Sequence, residues 1–142
     1  MVSRQSSAVW EGNLKQGRGK MKLASGAYEG PYTFLSRFEQ GQGTNPEELI
    51  GAAHAGCFSM KFAGDLSQKG YVPKSIKTTA AVSLDIVAGA AQITGIKLQT
   101  EVDLPGIDET LFLEIAENAK ATCPVSKALA ATPITLEAKL LR

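Results

Sequence analysis

The chain has 142 residues, 44% apolar and 20% charged, the proportions of one soluble globular domain, and we read 1–142 as a single domain. Fifteen Lys and Arg against fourteen Asp and Glu leave a formal net charge of +1, which excludes a basic field for nucleic acid and an acidic tail. Residues 1–17 carry Arg4, Glu11 and Lys15 and no apolar run of signal-peptide length, and nowhere do about 18 apolar residues run uninterrupted, so the expectation is a cytoplasmic protein without a membrane partner.

Three short β-like runs come first, Ala8–Glu11, Lys20–Ala24 and Thr33–Phe38, separated by glycine-containing turns at Gly12–Gly19 and Gly26–Pro31. They suggest a small antiparallel meander. After a break at Gly41–Gly43, Asn45 is placed to cap a helix, with Pro46 in its first position and Glu48 three residues beyond the cap. From Leu49 to Met60 no residue carries a fixed charge and only His54 and Ser59 are obviously polar, so this helix must lie inside something. Beyond Met60 it turns amphipathic, and Gly70 with Pro73 stops it. Ile76, Thr78, Ala80, Val82, Leu84 and Ile86 then alternate with polar residues, as do Ile96, Leu98, Val102 and Leu104 after a turn at Ala88–Gly89–Ala90. That pattern predicts a long hairpin. Asp108 is placed to cap a second helix ending near Thr122. Cys123 and Pro124 open a shorter third one reaching Ala131, and Ile134–Leu140 alternates as a last strand. The class is α+β, with strands grouped around one central helix.

A chain of this length buries roughly 68–70% of its unfolded surface and needs no disulfide or metal staple, so the two cysteines, Cys57 and Cys123, 66 positions apart, invite another explanation. Each alone reads as a small core residue; together, each set among small residues, they suggest a working dithiol. A thiol reacts as its thiolate. Cys123 stands at a helix start, where partial positive charge favours ionisation, whereas Cys57 lies about ten residues into its helix, beyond the reach of that dipole. On helix physics Cys123 ionises first, and Cys57 needs a cation from elsewhere. Arg37, before the helix, is the best supply, against the bland alternative of a solvated surface arginine. Glu47 and Glu48 suit a helix first turn, and Glu47 can also fix the Arg37 guanidinium. Ten residues of helix rise roughly 15 Å, so Glu47 cannot reach Cys57 of its own helix; either Arg37 spans the gap or Glu47 serves another subunit. His54, three residues before Cys57, could be a base or, with both cysteines, part of a metal shell. The paired spacings of metal sites are missing, and a buried, hydrogen-bonded histidine is expected, with no metal. Lys61, four residues after Cys57, reads as a snorkelling surface lysine.

The run Thr44–Met60, TNPEELIGAAHAGCFSM, resembles the central-helix motif of the osmotically inducible protein C family, related to the organic hydroperoxide resistance proteins. Lys120–Ser126, KATCPVS, resembles that family's second-cysteine motif. The similarity extends through Val9–Gly12, Ser36–Glu39 and Val102–Asp108 to nearly the whole chain, and lies closer to the osmotically inducible branch. It implies an intertwined homodimer, antiparallel sheets around long central helices, and a cofactor-free thiol peroxidase acting in stress. Such an enzyme reduces organic hydroperoxides, and hydrogen peroxide less well, and is reset by a dithiol reductant. It assigns Cys57 as the attacking thiol and Cys123 as the resolving one, with Arg37, oriented by Glu47, as the cation; Phe58, Leu49 and Phe112 are candidates to receive a substrate tail. Gly56 stands where the family often has alanine, and close approach of another backbone or of substrate is the expected compensation. The alternatives are a non-catalytic redox sensor or small-ligand carrier with a switching dithiol, and a Cys–His hydrolase using Cys57 with His54.

Overall fold

The computed structural model describes residues 1–141, which group into two compact units, Met1–Leu49 and the stretch from Ile50 onward. In the first, β1 (Ser6–Glu11), β2 (Arg18–Leu23) and β3 (Glu29–Tyr32) form the expected antiparallel meander in that order. Trp10, Gly19 and Tyr32 share one row across it, and the Trp10 and Tyr32 rings meet at 5.4 Å over the glycine. A Cβ on Gly19 would come within 2.6 Å of both rings, so only glycine leaves room for that contact.

The third strand departs from the sequence reading. It occupies Glu29–Tyr32, within and just after the segment read as a turn, while most of Thr33–Phe38 is a short helix, α1 (Phe34–Phe38). The cause is a reciprocal cap: the Thr33 hydroxyl accepts from the Ser36 N–H, and the Ser36 hydroxyl accepts from the Thr33 N–H. This local pairing overrides the β-propensity of Thr33, Phe34 and Phe38. Pro31 is tolerated because β3 is an edge strand.

The long helix α2 (Pro46–Gln68) starts where expected. Asn45 Oδ1 accepts from the Glu48 N–H at 2.7 Å, whereas the Glu48 carboxylate accepts from the Thr44 hydroxyl rather than closing back on the cap backbone. In the second unit β4 (Ser75–Val87) and β5 (Ala90–Asp103) make the long hairpin. Its two-residue turn places Ala88 at φ 51° and Gly89 at φ 82°, the pair of positive values that a tight hairpin of this hand requires. The β6 strand (Ile134–Leu141) joins β5 in parallel, unlike the other pairings; α3 (Glu109–Thr122) and α4 (Pro124–Ala128) supply the crossover such a pair demands.

Phe58, Phe62 and Leu66, four residues apart on α2, are fully buried among Leu98, Val102, Phe112 and Ala119. Phe62 meets Phe58 at 5.5 Å and Phe112 at 5.4 Å between ring centres. Only this face of α2 is covered: Ala52, Ala53, Gly56 and Met60 are exposed, Met60 at 79%. Among the described residues no helix is long and apolar enough to cross a membrane.

Candidate active site

Cys57 projects from α2, half-buried against the core, and Cys123 is fully buried at the junction of two helices. Its N–H closes α3 on the Ala119 carbonyl at 2.9 Å, and Pro124 opens α4 immediately after it. The two sulfurs lie 2.9 Å apart as free thiols sharing a hydrogen bond. Their proton is held unequally. Burial pushes both thiols up, and Cys57, which also shares the hydrogen bond of Cys123, stays above the ordinary cysteine value. For Cys123 burial is outweighed by donors: Cys57, the Ser126 amide and hydroxyl, and the Val125 amide hold negative charge on its sulfur and bring it below that value. The two directions, Cys123 below and Cys57 above the ordinary value, follow the ranking expected from helix position alone.

His54 is fully buried, and its Nε2 is 2.7 Å from Ser126 Oγ; Nδ1 has no partner. Burial lowers its pKa below the usual imidazole value, so the ring is neutral near pH 7. It is the hydrogen-bonded core histidine the sequence led us to expect. Ser126 was not singled out as functional from sequence; its one legible sign is its place three residues after Cys123, in the first turn of α4.

In the first unit, Arg37 leaves α1 and donates from Nε and Nη2 to one oxygen of Glu47, Oε1, at 3.1 and 2.8 Å. Glu47 is 7% exposed, and its other oxygen, Oε2, is buried without a partner. A guanidinium held through two of its N–H groups keeps its remaining donors aimed in one direction. Lys61 pairs with Asp65 four residues on. Phe58 and Phe112 are fully buried core residues stacked on the Phe62 ring, while Leu49 is half-buried. Among the described residues of the chain nothing lies within 4 Å of a Cβ built on Gly56, which leaves that side of α2 open.

A family model described as OsmC-like protein matches residues 39–139. Peroxiredoxin OsmC of Escherichia coli (strain K12) is 50% identical over 140 residues, covering 98% of this chain and 97% of the relative. An organic hydroperoxide resistance protein of Xanthomonas axonopodis pv. citri (strain 306) is 32% identical over 91 residues, 62% of this chain and 61% of the relative. Among solved structures, an OsmC-like protein of unknown function from Vibrio cholerae superposes with a TM-score of 0.76 at 15% identity, covering 97% of this chain and 99% of the other. The organic hydroperoxide resistance protein OhrB of Bacillus subtilis gives 0.68 at 20% identity, with 96% and 98% covered. These two establish the fold. The chain belongs to the OsmC-like family.

Proposed function

We propose that this protein is a cysteine-based peroxidase that reduces organic hydroperoxides to alcohols, and hydrogen peroxide less well, in the response to oxidative and osmotic stress. The observation that carries the reading is the pair of free sulfurs 2.9 Å apart, one half-exposed and one buried. The Cys57 thiolate attacks the terminal peroxide oxygen; the O–O bond breaks, the alkoxide takes a proton and leaves as alcohol, and Cys57 becomes a sulfenic acid. Cys123 then attacks the Cys57 sulfur, forming the S–S bond as the S–O bond breaks and water departs. A dithiol reductant, small molecule or protein, resets the pair by exchange.

Cys57 is the attacking sulfur because it alone of the two is open to solvent. Its thiolate needs a cation, because an opposite charge favours the ionised form. Arg37 is that cation and Glu47 its orienting partner; the ion pair between them and the motifs around both cysteines support these roles. We place the enzyme in the cytoplasm, where a reductant pool keeps such a dithiol open. We read the chain as one OsmC-like domain, since the family match spans residues 39–139 and the Escherichia coli relative aligns over 98% of the chain. A homodimer is supported by the uncharged, exposed face of α2 at Ala52, Ala53, Gly56 and Met60.

Steady-state consumption of cumene hydroperoxide with dithiothreitol tests the reading. Many turnovers, abolished by Cys57→Ser, are expected; a single stoichiometric oxidation would make the dithiol a sensor. Dependence on His54 and Cys57, with Cys123 dispensable, would indicate the hydrolase.

A further inference from the structure

The mechanism above leaves His54 idle, yet a buried imidazole costs free energy unless its hydrogen bonds are used. His54 is 0% and Ser126 5% exposed, and His54 Nε2 meets Ser126 Oγ at 2.7 Å. The contact has a fixed relation to the sulfurs. His54 stands three residues before Cys57 on α2, and Ser126 three residues after Cys123 on α4, so the His54–Ser126 and Cys57–Cys123 contacts are neighbouring rungs between α2 and the α3–α4 junction. All four residues belong to the second unit. Three residues of helix rise about 4.5 Å, a separation at which two rungs fix rotation as well as distance. The junction is weak by itself: α4 is five residues long, and its N-cap, Cys123, makes no side-chain capping bond. Val125 and Leu129 pack it against the core, but apolar contact is non-directional, whereas a hydrogen bond is not.

Resting on the peroxidase reading, we propose that His54 and Ser126 are positioning residues: their hydrogen bond clamps the α3–α4 junction to α2 and keeps Cys123 in bonding reach of Cys57 while Cys57 carries oxygen. At that stage the Cys57 thiol has become a sulfenic acid, so the hydrogen bond between two thiols no longer exists and the rung beside it remains. Cys123 then supplies the electron pair of the new S–S bond, and the S–O pair leaves as hydroxide, which takes a proton and becomes water. Hydroperoxide is the only oxidant consumed. Holding two reacting atoms in place raises the effective concentration of one at the other, and a misplacement of about 1 Å costs about a hundredfold in rate. The clamp acts by geometry and requires no charge on either sulfur. A neutral imidazole donates or accepts at Nε2 according to its tautomer, and either bond serves.

The equilibrium of disulfide closure tests this. The protein is equilibrated with reduced and oxidised dithiothreitol, and the disulfide fraction is read by alkylation and intact mass; two protein thiols lose their hydrogens as the S–S bond of the oxidised reagent is reduced. Without the clamp the dithiol state spreads over more arrangements, while the disulfide state is held by its own bond. The equilibrium constant for closure should therefore fall roughly three- to tenfold in Ser126→Ala and in His54→Leu, the worth of one buried hydrogen bond. The losses should not multiply in the double variant, because either change removes the same contact. His54→Gln, whose amide both donates and accepts, should stay within about twofold of the unmutated protein. A pair that only stabilises the fold would lower the urea midpoint of these variants and leave the closure constant where it was. An unmoved constant in the single variants, losses that multiply in the double variant, or no rescue by His54→Gln would overturn the clamp. The readout consumes no peroxide: failure of the unmutated protein to turn over cumene hydroperoxide would sink the peroxidase reading, and the closure equilibrium would still decide the clamp.

Discussion

Closing the Cys57–Cys123 bond should stabilise the protein by an amount set largely by chain separation. The cysteines lie 66 positions apart, and a cross-link over such a loop removes about 4 kcal/mol of conformational freedom from the unfolded chain, between about 3 for a loop of about 15 residues and about 4.7 for one of about 100. With the sulfurs already 2.9 Å apart, they need to approach by less than about 1 Å, so little distortion of the native state offsets the gain. Unfolding entropy of roughly 2.1 cal/mol/K per residue over 142 residues converts each kcal/mol into about 3 °C, so the melting temperature should rise by about 10–15 °C. The assay compares thermal unfolding of dithiothreitol-reduced protein with protein oxidised by one equivalent of cumene hydroperoxide, the bond verified by the loss of two hydrogens in intact mass and by peptide mapping. Cys123→Ser should show no such gain. A mapped bond accompanied by a rise of less than about 3 °C would refute the claim that the sulfurs are preplaced, because closure would then be deforming the core around Cys123.

Cys123→Ser should lose multiple turnover, and excess hydroperoxide should carry Cys57 to the sulfinic acid, read as two added oxygens by mass spectrometry; sustained turnover would remove the resolving role. Gly56→Ala meets open space within the chain and should raise the urea midpoint by the equivalent of about 1 kcal/mol. A fall in stability would instead mean that a second copy's backbone fills that space. Burial lowers the His54 pKa, so its stabilising contribution is complete above the ordinary value of 6.5 and is lost as pH falls through the lowered folded value. His54→Gln should therefore lose less stability than the unmutated chain between about pH 7 and about pH 5, measured by urea unfolding.

The elements legible from sequence are those whose signals are local and mutually consistent. Asn45 caps α2 because cap, Pro46 and Glu48 agree, and the β4–β5 hairpin follows because alternation on both sides converges on one turn. At Thr33–Phe38 the signals conflict: aromatic β-formers sit on a Thr/Ser capping pair, and the pair wins because it satisfies backbone donors on the spot. Much of the site was readable too. Both cysteines and the Arg37–Glu47 pair stand out by residue type, and helix position already favoured charge on Cys123. What sequence could not reveal is the His54–Ser126 contact, since 72 positions separate its partners and no local pattern encodes it. The same holds for the stacking of Phe58 and Phe112 on Phe62, which follows from the packing of α2 against α3.

The unequal charge of the two thiols bears on reduction as well as oxidation. A disulfide opens by attack of a thiolate on one sulfur and departure of the other, and the sulfur of lower pKa leaves faster. In the dithiol Cys123 has that lower value, with Cys57 its strongest partner, followed by the Ser126 amide and hydroxyl and the Val125 amide, and it is fully buried, whereas Cys57 is partly open to solvent. Leaving-group quality and access therefore point the same way: a reductant should attack Cys57 and expel Cys123. Stoichiometric reaction of the oxidised protein with a monothiol, acid quenching and peptide mapping should find the mixed disulfide on Cys57. Adducts divided equally between the cysteines, or concentrated on Cys123, would mean that the buried donors do not control which sulfur departs.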